Sequence, residues 1–192
     1  LYVILVPIFS VFLRKKVGFL VWLGGILAAV GIYLLCFTGG IGGFYVGDII
    51  VFTCSIAFTF HILSVDKYVG VTGGIKLSIM QFFVVGVLSL ICSLIFDLKT
   101  LTVSGLIDGA LPILYLGIMS SGVAYTLQIV GQKYAEPAIA SITMSFESVF
   151  AVLGGVLFSS GKLSLNEILG CAIMFAAIII AQIPEMLQNK KA

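Results

Sequence analysis

Glu147 is the residue whose setting points most directly to chemistry, because it is the one carboxylate in an apolar run from 139 to 162. A charged group near the centre of a bilayer is costly, so an acidic residue there is a functional-site hypothesis by default. A carboxyl group withdrawn from water holds its proton more tightly, which suits proton coupling or pairing with a cationic ligand. The alternative interpretation is a protonated glutamic acid that hydrogen-bonds a neighbouring helix and serves packing alone.

Helical spacing divides this run into a bulky and a small face. We expect the bulky face to meet lipid; it consists of Ile142, Phe146, Val149, Leu153 and Leu157. Small residues mark helix–helix contact in membranes, and the opposite face carries Ala140, Met144, Ala151 and Gly154. Glu147 lies on the flank of this smaller face, so we predict that it is turned away from lipid.

Other polar side chains inside apolar runs complete the candidate site. One helical stripe comprises Gly117, Ser121, Tyr125, Gln128 and Gln132. The full set of candidate residues is Glu147, His61, Gln81, Tyr125, Gln128, Ser121 and Thr143. His61, Gln81 and Gln128 lie at a similar depth, about a turn and a half inside their helices, which predicts a shared polar vestibule. Three independent interhelical hydrogen bonds are the competing interpretation.

His61 shares a predicted face with Cys54, Ala57 and Ser64, opposite Phe52, Ile56 and Leu63, so we expect it to point inward. It is either a hydrogen-bonded core histidine or a group that titrates near neutral pH.

The composition places the chain in a membrane. Of 192 residues, 61% are hydrophobic and 9% are charged, against about 45–50% apolar and 25% charged in soluble domains. The four cysteines lie within apolar runs without disulfide or metal-ligand spacing, so we expect no metal and no cofactor. No nucleic-acid motif is present. Paired aspartates, a Ser–His nucleophile motif and a His cluster are also missing from the sequence, so we expect no enzyme.

Seven apolar runs predict an all-α integral membrane protein with about seven transmembrane helices. Six of them, at 18–37, 48–66, 76–96, 108–131, 137–158 and 165–184, approach the 17–25 residues that a spanning helix needs. The first run ends at Leu13 and is too short to span. Since Arg14 and the lysines that follow it come after that run, it is no signal peptide. We therefore expect an N-terminally truncated piece of a longer protein. Loops are predicted at 39–43, 70–74 and 159–161.

Lysine and arginine residues are distributed unevenly between the two ends of these runs. One side carries Arg14, Lys15, Lys16, Lys67, Lys76, Lys133, Lys190 and Lys191. The other side carries only Lys99 and Lys162. The positive-inside rule makes the first side cytoplasmic, and the C-terminus with it.

A weak internal repeat relates 16–25 (KVGFLVWLGG) to 162–171 (KLSLNEILGC). The copies are five helices apart, so they have opposite orientations in the membrane. Inverted repeats are typical of secondary transporters, whose substrate site lies at the repeat interface.

The chain resembles the drug/metabolite transporter superfamily, in its EamA-type branch of ten helices in two repeats. The resemblance covers nearly the whole chain and is carried by VPIFSVFLRKK…GGILAAVGIYLL at 6–35, GDIIVFTCSIAFTFHI at 47–62, and SSGVAYTLQIVGQKYAEPAIASITMSFESVFAVLGGVLF…LSLNEILGCAIMFAAIII at 120–180. It implies the last two helices of a first repeat at 1–37, a complete second repeat at 45–185, and a cytoplasmic tail at 186–192. Two positions depart from the family pattern. Ser148 stands where a proline commonly follows the glutamate, which removes a helix kink, and Ser160-Gly161-Lys162 replaces a Gly-Glu-Arg-like turn.

The resemblance implies a permease or exporter of a small metabolite or drug-like molecule in a bacterial plasma membrane. Its partners would be the substrate, the lipid bilayer and a proton or other coupling ion. A non-transporting membrane scaffold or sensor, or an inactive fragment, is the alternative. The close-packing pairs Gly24/Ala28 and Gly117/Ser121 could be internal contacts or could form a homodimer.

Overall fold

The computed structural model describes residues 1–15, 17–36, 46–96, 102–159 and 164–189, and no strand occurs in these ranges. All seven predicted apolar runs are helical. The helices are α1 (Tyr2–Phe12), α2 (Phe19–Cys36), α3 (Val46–Thr72), α4 (Gly74–Phe96), α5 (Val103–Asp108), α6 (Ala110–Tyr115), a π-helix (Leu116–Tyr125), α7 (Thr126–Gln132), α8 (Pro137–Met144), α9 (Glu147–Ser159) and α10 (Leu165–Asn189).

Five of the described helical stretches are long and apolar enough to cross a membrane: α3, α4, Ala110–Gln132, Pro137–Phe158 and Leu165–Pro184. Helices α1 and α2 are shorter but equally apolar. The predicted all-α membrane protein is thereby confirmed. The predicted loops at 39–43 and 159–161 fall wholly or partly outside the described residues.

The predicted loop at 70–74 is much tighter than expected. Helix α3 continues to Thr72 and α4 begins at Gly74, so Gly73 alone separates them. Gly73 has φ = 84°, a left-handed conformation that glycine adopts without steric cost. Its N–H donates to the Val69 carbonyl at 3.0 Å, which satisfies one of the orphan carbonyls at a helix end.

Helix α10 begins with a reciprocal cap. The Ser164 hydroxyl and backbone N–H both donate to the Glu167 carboxylate, at 2.8 and 2.7 Å, and the Glu167 N–H donates to the Ser164 hydroxyl oxygen at 3.3 Å. This is a capping box, which satisfies N–H groups that have no partner within the helix. It fixes where the last helix starts.

The chain forms two compact units, and the first comprises residues 1–64 and 135–192. Its centre is the packing of α2 on α10. The buried members of this core are Val3, Val21, Ala28, Leu35, Ala138, Ile139, Ile142, Val149, Met174, Ala177 and Ala181. Gly24 contributes to the same contact: a Cβ on it would lie 2.9 Å from both the Ala177 carbonyl oxygen and the Ala181 Cβ. The Gly24/Ala28 pair is therefore an internal contact of this unit.

The second unit comprises residues 65–134. The buried side chains of Val65, Val69 and Ile129 form its small core, against which Leu77 packs. Helix α7 approaches the start of α4 closely, since a Cβ on Gly74 would lie 2.8 Å from Val130 Cγ2. Beyond residue 82, α4 exposes an almost entirely apolar surface, which suits contact with hydrocarbon.

Candidate functional site

The apolar segment that carries Glu147 is interrupted immediately before that residue. Helix α8 ends at Met144 and α9 begins at Glu147. The N–H of Phe146 donates to the Thr143 carbonyl at 3.1 Å, and the N–H of Ser148 donates to the Ser145 carbonyl at 3.1 Å. Both bonds span three residues, whereas an α-helix bonds four residues back. The backbone therefore tightens into a turn between the two helices.

Three hydroxyl groups in and just after α8 bond back to backbone carbonyls beside this interruption. Ser141 donates to the Ala138 carbonyl at 2.7 Å, Thr143 to Ile139 at 3.0 Å, and Ser145 to Ser141 at 2.9 Å. Such bonds compete with the helical ladder and often bend helices. The expectation that loss of the family proline at 148 removes the kink is wrong, because the helix is interrupted before Glu147 without that proline.

Glu147 is the first residue of α9, and its side chain is exposed on unit 1. Thr143, one turn earlier, is also exposed. The prediction that Ile142 and Val149 face lipid is wrong, since they are 0% and 5% exposed within the core. Ile142 and Val149 pack in the same core as the alanines of α2 and α10. The size of a side chain therefore did not indicate which face of the helix meets lipid.

His61 is half-buried on α3 and stacks on Phe58, with 5.6 Å between ring centroids and 23° between ring planes. Its Nε2 is buried and has no hydrogen-bond partner in the described part of the chain. The predicted inward face is wrong, because Cys54, Ala57 and Ser64 are all exposed.

The buried face of α3 instead contains Ser55, Thr59 and Ile62. Ser55 donates its hydroxyl proton to the Phe52 carbonyl at 2.7 Å, and Thr59 donates to the Ser55 carbonyl at 2.8 Å. Because these hydroxyls are satisfied locally, the two residues can be buried as small packing groups.

The remaining candidates belong to unit 2. Gln81, Ser121 and Gln128 are half-buried, and Tyr125 is exposed. Ser121 and Tyr125 lie in the ten-residue π-helix. A π-helix bonds five residues back, so residues four apart no longer share a face as closely as in an α-helix. Of the predicted stripe, only Gln128 and Gln132 therefore lie in an α-helix and keep the expected spacing. The vestibule predicted for His61, Gln81 and Gln128 stays a prediction.

Gln132 belongs to the predicted stripe but is not among the site candidates predicted from the sequence. Its side chain is 4% exposed. Both its Nε2 and Oε1 are buried without a hydrogen-bond partner among the described residues, and so is Nε2 of Gln128. The available signal was the stripe pattern, of which Gln132 is the last member.

Within the described residues, no group of three or more His, Cys, Asp or Glu side chains could hold a metal ion. The described cysteines Cys54, Cys92 and Cys171 are free thiols.

Comparison with known proteins agrees with this architecture. The EamA-like transporter family model matches residues 45–182. A protein of Archaeoglobus fulgidus named "Uncharacterized transporter" is 28% identical over 192 residues, which cover 95% of this chain and 58% of that relative. No solved structure matches the chain. A match over this much of the chain, in a protein with several membrane-spanning helices, leads to one conclusion: the chain belongs to the EamA-like transporter family.

Proposed function

We propose that this multi-pass membrane transporter moves a small metabolite or drug-like molecule by alternating access, with Glu147 in its transport pathway. The observation that carries the proposal is the interruption between α8 and α9 immediately before Glu147. Secondary transporters place their substrate and ion sites at such discontinuous helices, where half-helix ends and freed backbone groups offer polar contacts within the membrane.

The position of Glu147 suits a group that binds a cation. As the first residue of α9, it lies where the helix dipole favours a negative charge, while the surrounding apolar segment disfavours one. Because the apolar segment disfavours an unpaired charge, the carboxylate is suited to pair with a cationic group of the substrate or with a coupling ion. Thr143 uses its proton on the Ile139 carbonyl, which leaves its oxygen lone pairs free to accept a second bond.

The wider arrangement is part of the same proposal. Residues 1–37 would complete a first repeat and residues 45–185 would form a second, inverted one. The uneven distribution of lysine and arginine supports a cytoplasmic C-terminus. The membrane proposed is a bacterial plasma membrane. Coupling would be to a proton or other ion gradient. The chain spans 58% of the curated relative's length, so the activity proposed is that of the intact protein.

The experiment begins with a thermal-shift screen of small metabolites on the intact protein, followed by transport of each hit in proteoliposomes. We expect Glu147→Gln to lower the initial transport rate at least tenfold at unchanged membrane levels. Glu136→Gln is the matched control, because Glu136 is exposed at the start of α8 and makes no side-chain cap. Full activity of Glu147→Gln would overturn the role of this carboxylate.

A further inference from the structure

The amide groups of Gln128 and Gln132 form the largest set of unsatisfied buried polar atoms in the described residues. Three of their atoms, Gln128 Nε2, Gln132 Nε2 and Gln132 Oε1, are buried and have no partner among the residues that the structure describes. Leaving a buried polar group unpaired costs about 1–3 kcal/mol. A partner that bonds with these atoms in the working protein would recover that cost.

The two side chains are close enough to act on one ligand group. Residues four apart in an α-helix lie on the same face, about 5–6 Å apart at Cβ, and both residues are in α7 (Thr126–Gln132). Between them lies Ile129, which is fully buried against Val65 and Val69 of α3. Packing of Val130 against Gly74 holds the same helix on α4. The two amides are thus carried by a helix that is held in place by the packing of Ile129 and Val130 between them.

The unpaired atoms define the chemistry of that partner. Two amide nitrogens donate and one carbonyl oxygen accepts. A primary carboxamide or a lactam presents a carbonyl oxygen beside an N–H, so it can pair with both atoms of Gln132 and accept a second bond from Gln128. A carboxylate could accept from both nitrogens but would bring a negative charge against Gln132 Oε1. A cation could bind the one acceptor, Gln132 Oε1, but the two N–H donor groups would repel it.

We propose that Gln128 and Gln132 form a binding subsite for the H–N–C=O edge of a carboxamide or lactam group on the ligand. This assignment deepens the proposed transport function by naming a chemical class that the substrate carries. Binding to the subsite is measurable without transport and does not involve Glu147, so the two proposals fail separately.

The test is thermal unfolding and equilibrium binding of the intact, detergent-solubilised protein with two matched probe pairs. Nicotinamide is compared with nicotinate, and 2-pyrrolidone with cyclopentanone, which lacks the N–H. We expect the two amides to raise the unfolding midpoint in a concentration-dependent manner, because a ligand that binds only the folded state stabilises it. The acid and the ketone should bind at least tenfold more weakly. Equal binding within each pair, or no binding by either amide, would overturn the proposal.

Variants separate this subsite from a structural hydrogen bond. Gln128→Met and Gln132→Met should each weaken amide binding at least tenfold, while Gln182→Met in α10 should leave it unchanged. Removing an unpaired amide in favour of an apolar side chain of similar size should leave the ligand-free unfolding midpoint unchanged or raise it. A lowered midpoint in both α7 variants would mean that the amides are already paired within the intact protein, and would overturn the proposal. If Gln132→Met does not fold, Gln128→Met alone decides, because Gln128 is only half-buried.

Discussion

Gly31 of α2 and Met174 of α10 are in such close contact that no side chain fits on the glycine. A Cβ on Gly31 would lie 2.6 Å from Met174 Cγ and 3.1 Å from the carbonyl oxygen of Gly170. The same is true in the other direction, since a Cβ on Gly170 would lie 3.0 Å from the Gly31 carbonyl oxygen. The two backbones therefore approach each other directly, as small residues permit in membrane helices.

The first prediction concerns this crossing. Gly24→Ala should destabilise unit 1 by about 1–3 kcal/mol, the usual cost of overpacking, because its new Cβ meets a backbone oxygen and the Cβ of Ala181. Thermal unfolding in detergent measures the effect. Gly154→Ala in α9 is the control, since nothing lies within 4 Å of a Cβ there. Equal midpoints for the two variants would contradict the close approach of α2 and α10.

The second prediction concerns the turn before Glu147. Ser148 lies in the first turn of α9, where a proline removes only the short bond from the Ser148 N–H to the Ser145 carbonyl. A proline in a helix interior costs about 3 kcal/mol or more. Ser148→Pro should therefore reduce membrane levels and the unfolding midpoint far less than Val152→Pro, one turn further along. If both variants are equally destabilised, the helix is continuous through residues 145 and 146 in the membrane.

The third prediction concerns orientation. A green fluorescent protein fused after Ala192 should fluoresce, because the excess of positive charge assigns the C-terminus to the cytoplasm. An alkaline phosphatase inserted at Lys99 should be active, because that position is assigned to the opposite side. Inactive phosphatase at Lys99 together with a dark C-terminal fusion would reverse the predicted orientation, while the two copies of the repeat would still be inverted relative to each other.

Much of the fold was predictable because it depends on hydrophobicity along the chain. The apolar runs are all helical, and their observed ends lie within a few residues of the predicted ones except where local bonds intervene. Helix α3 extends to Thr72 because one glycine with positive φ is enough to turn the chain. The capping box at Ser164 and Glu167 is written in the sequence as Ser-x-x-Glu before an apolar run, which is a known helix-start signal.

The faces of the helices were harder to predict. A helical wheel sorts residues by size, but which side is buried depends on the shape of the neighbouring helix. Ile142 is buried because α2 and α10 present small residues to it. Thr59 is buried because its hydroxyl is satisfied by its own helix. The π-helix over Leu116–Tyr125 changes the period on which any wheel in that region depends.

The pairing of α2 with α10 also sets an order of events during synthesis. About 140 residues separate Gly31 from Gly170, and ribosomes add roughly 5–20 residues per second. The small-residue face of α2 is therefore synthesised on the order of 7–30 s before α10, which packs on it. Unit 2 is made and inserted during that interval. Contacts so distant in sequence form late, so the first unit becomes complete only when α10 enters the membrane.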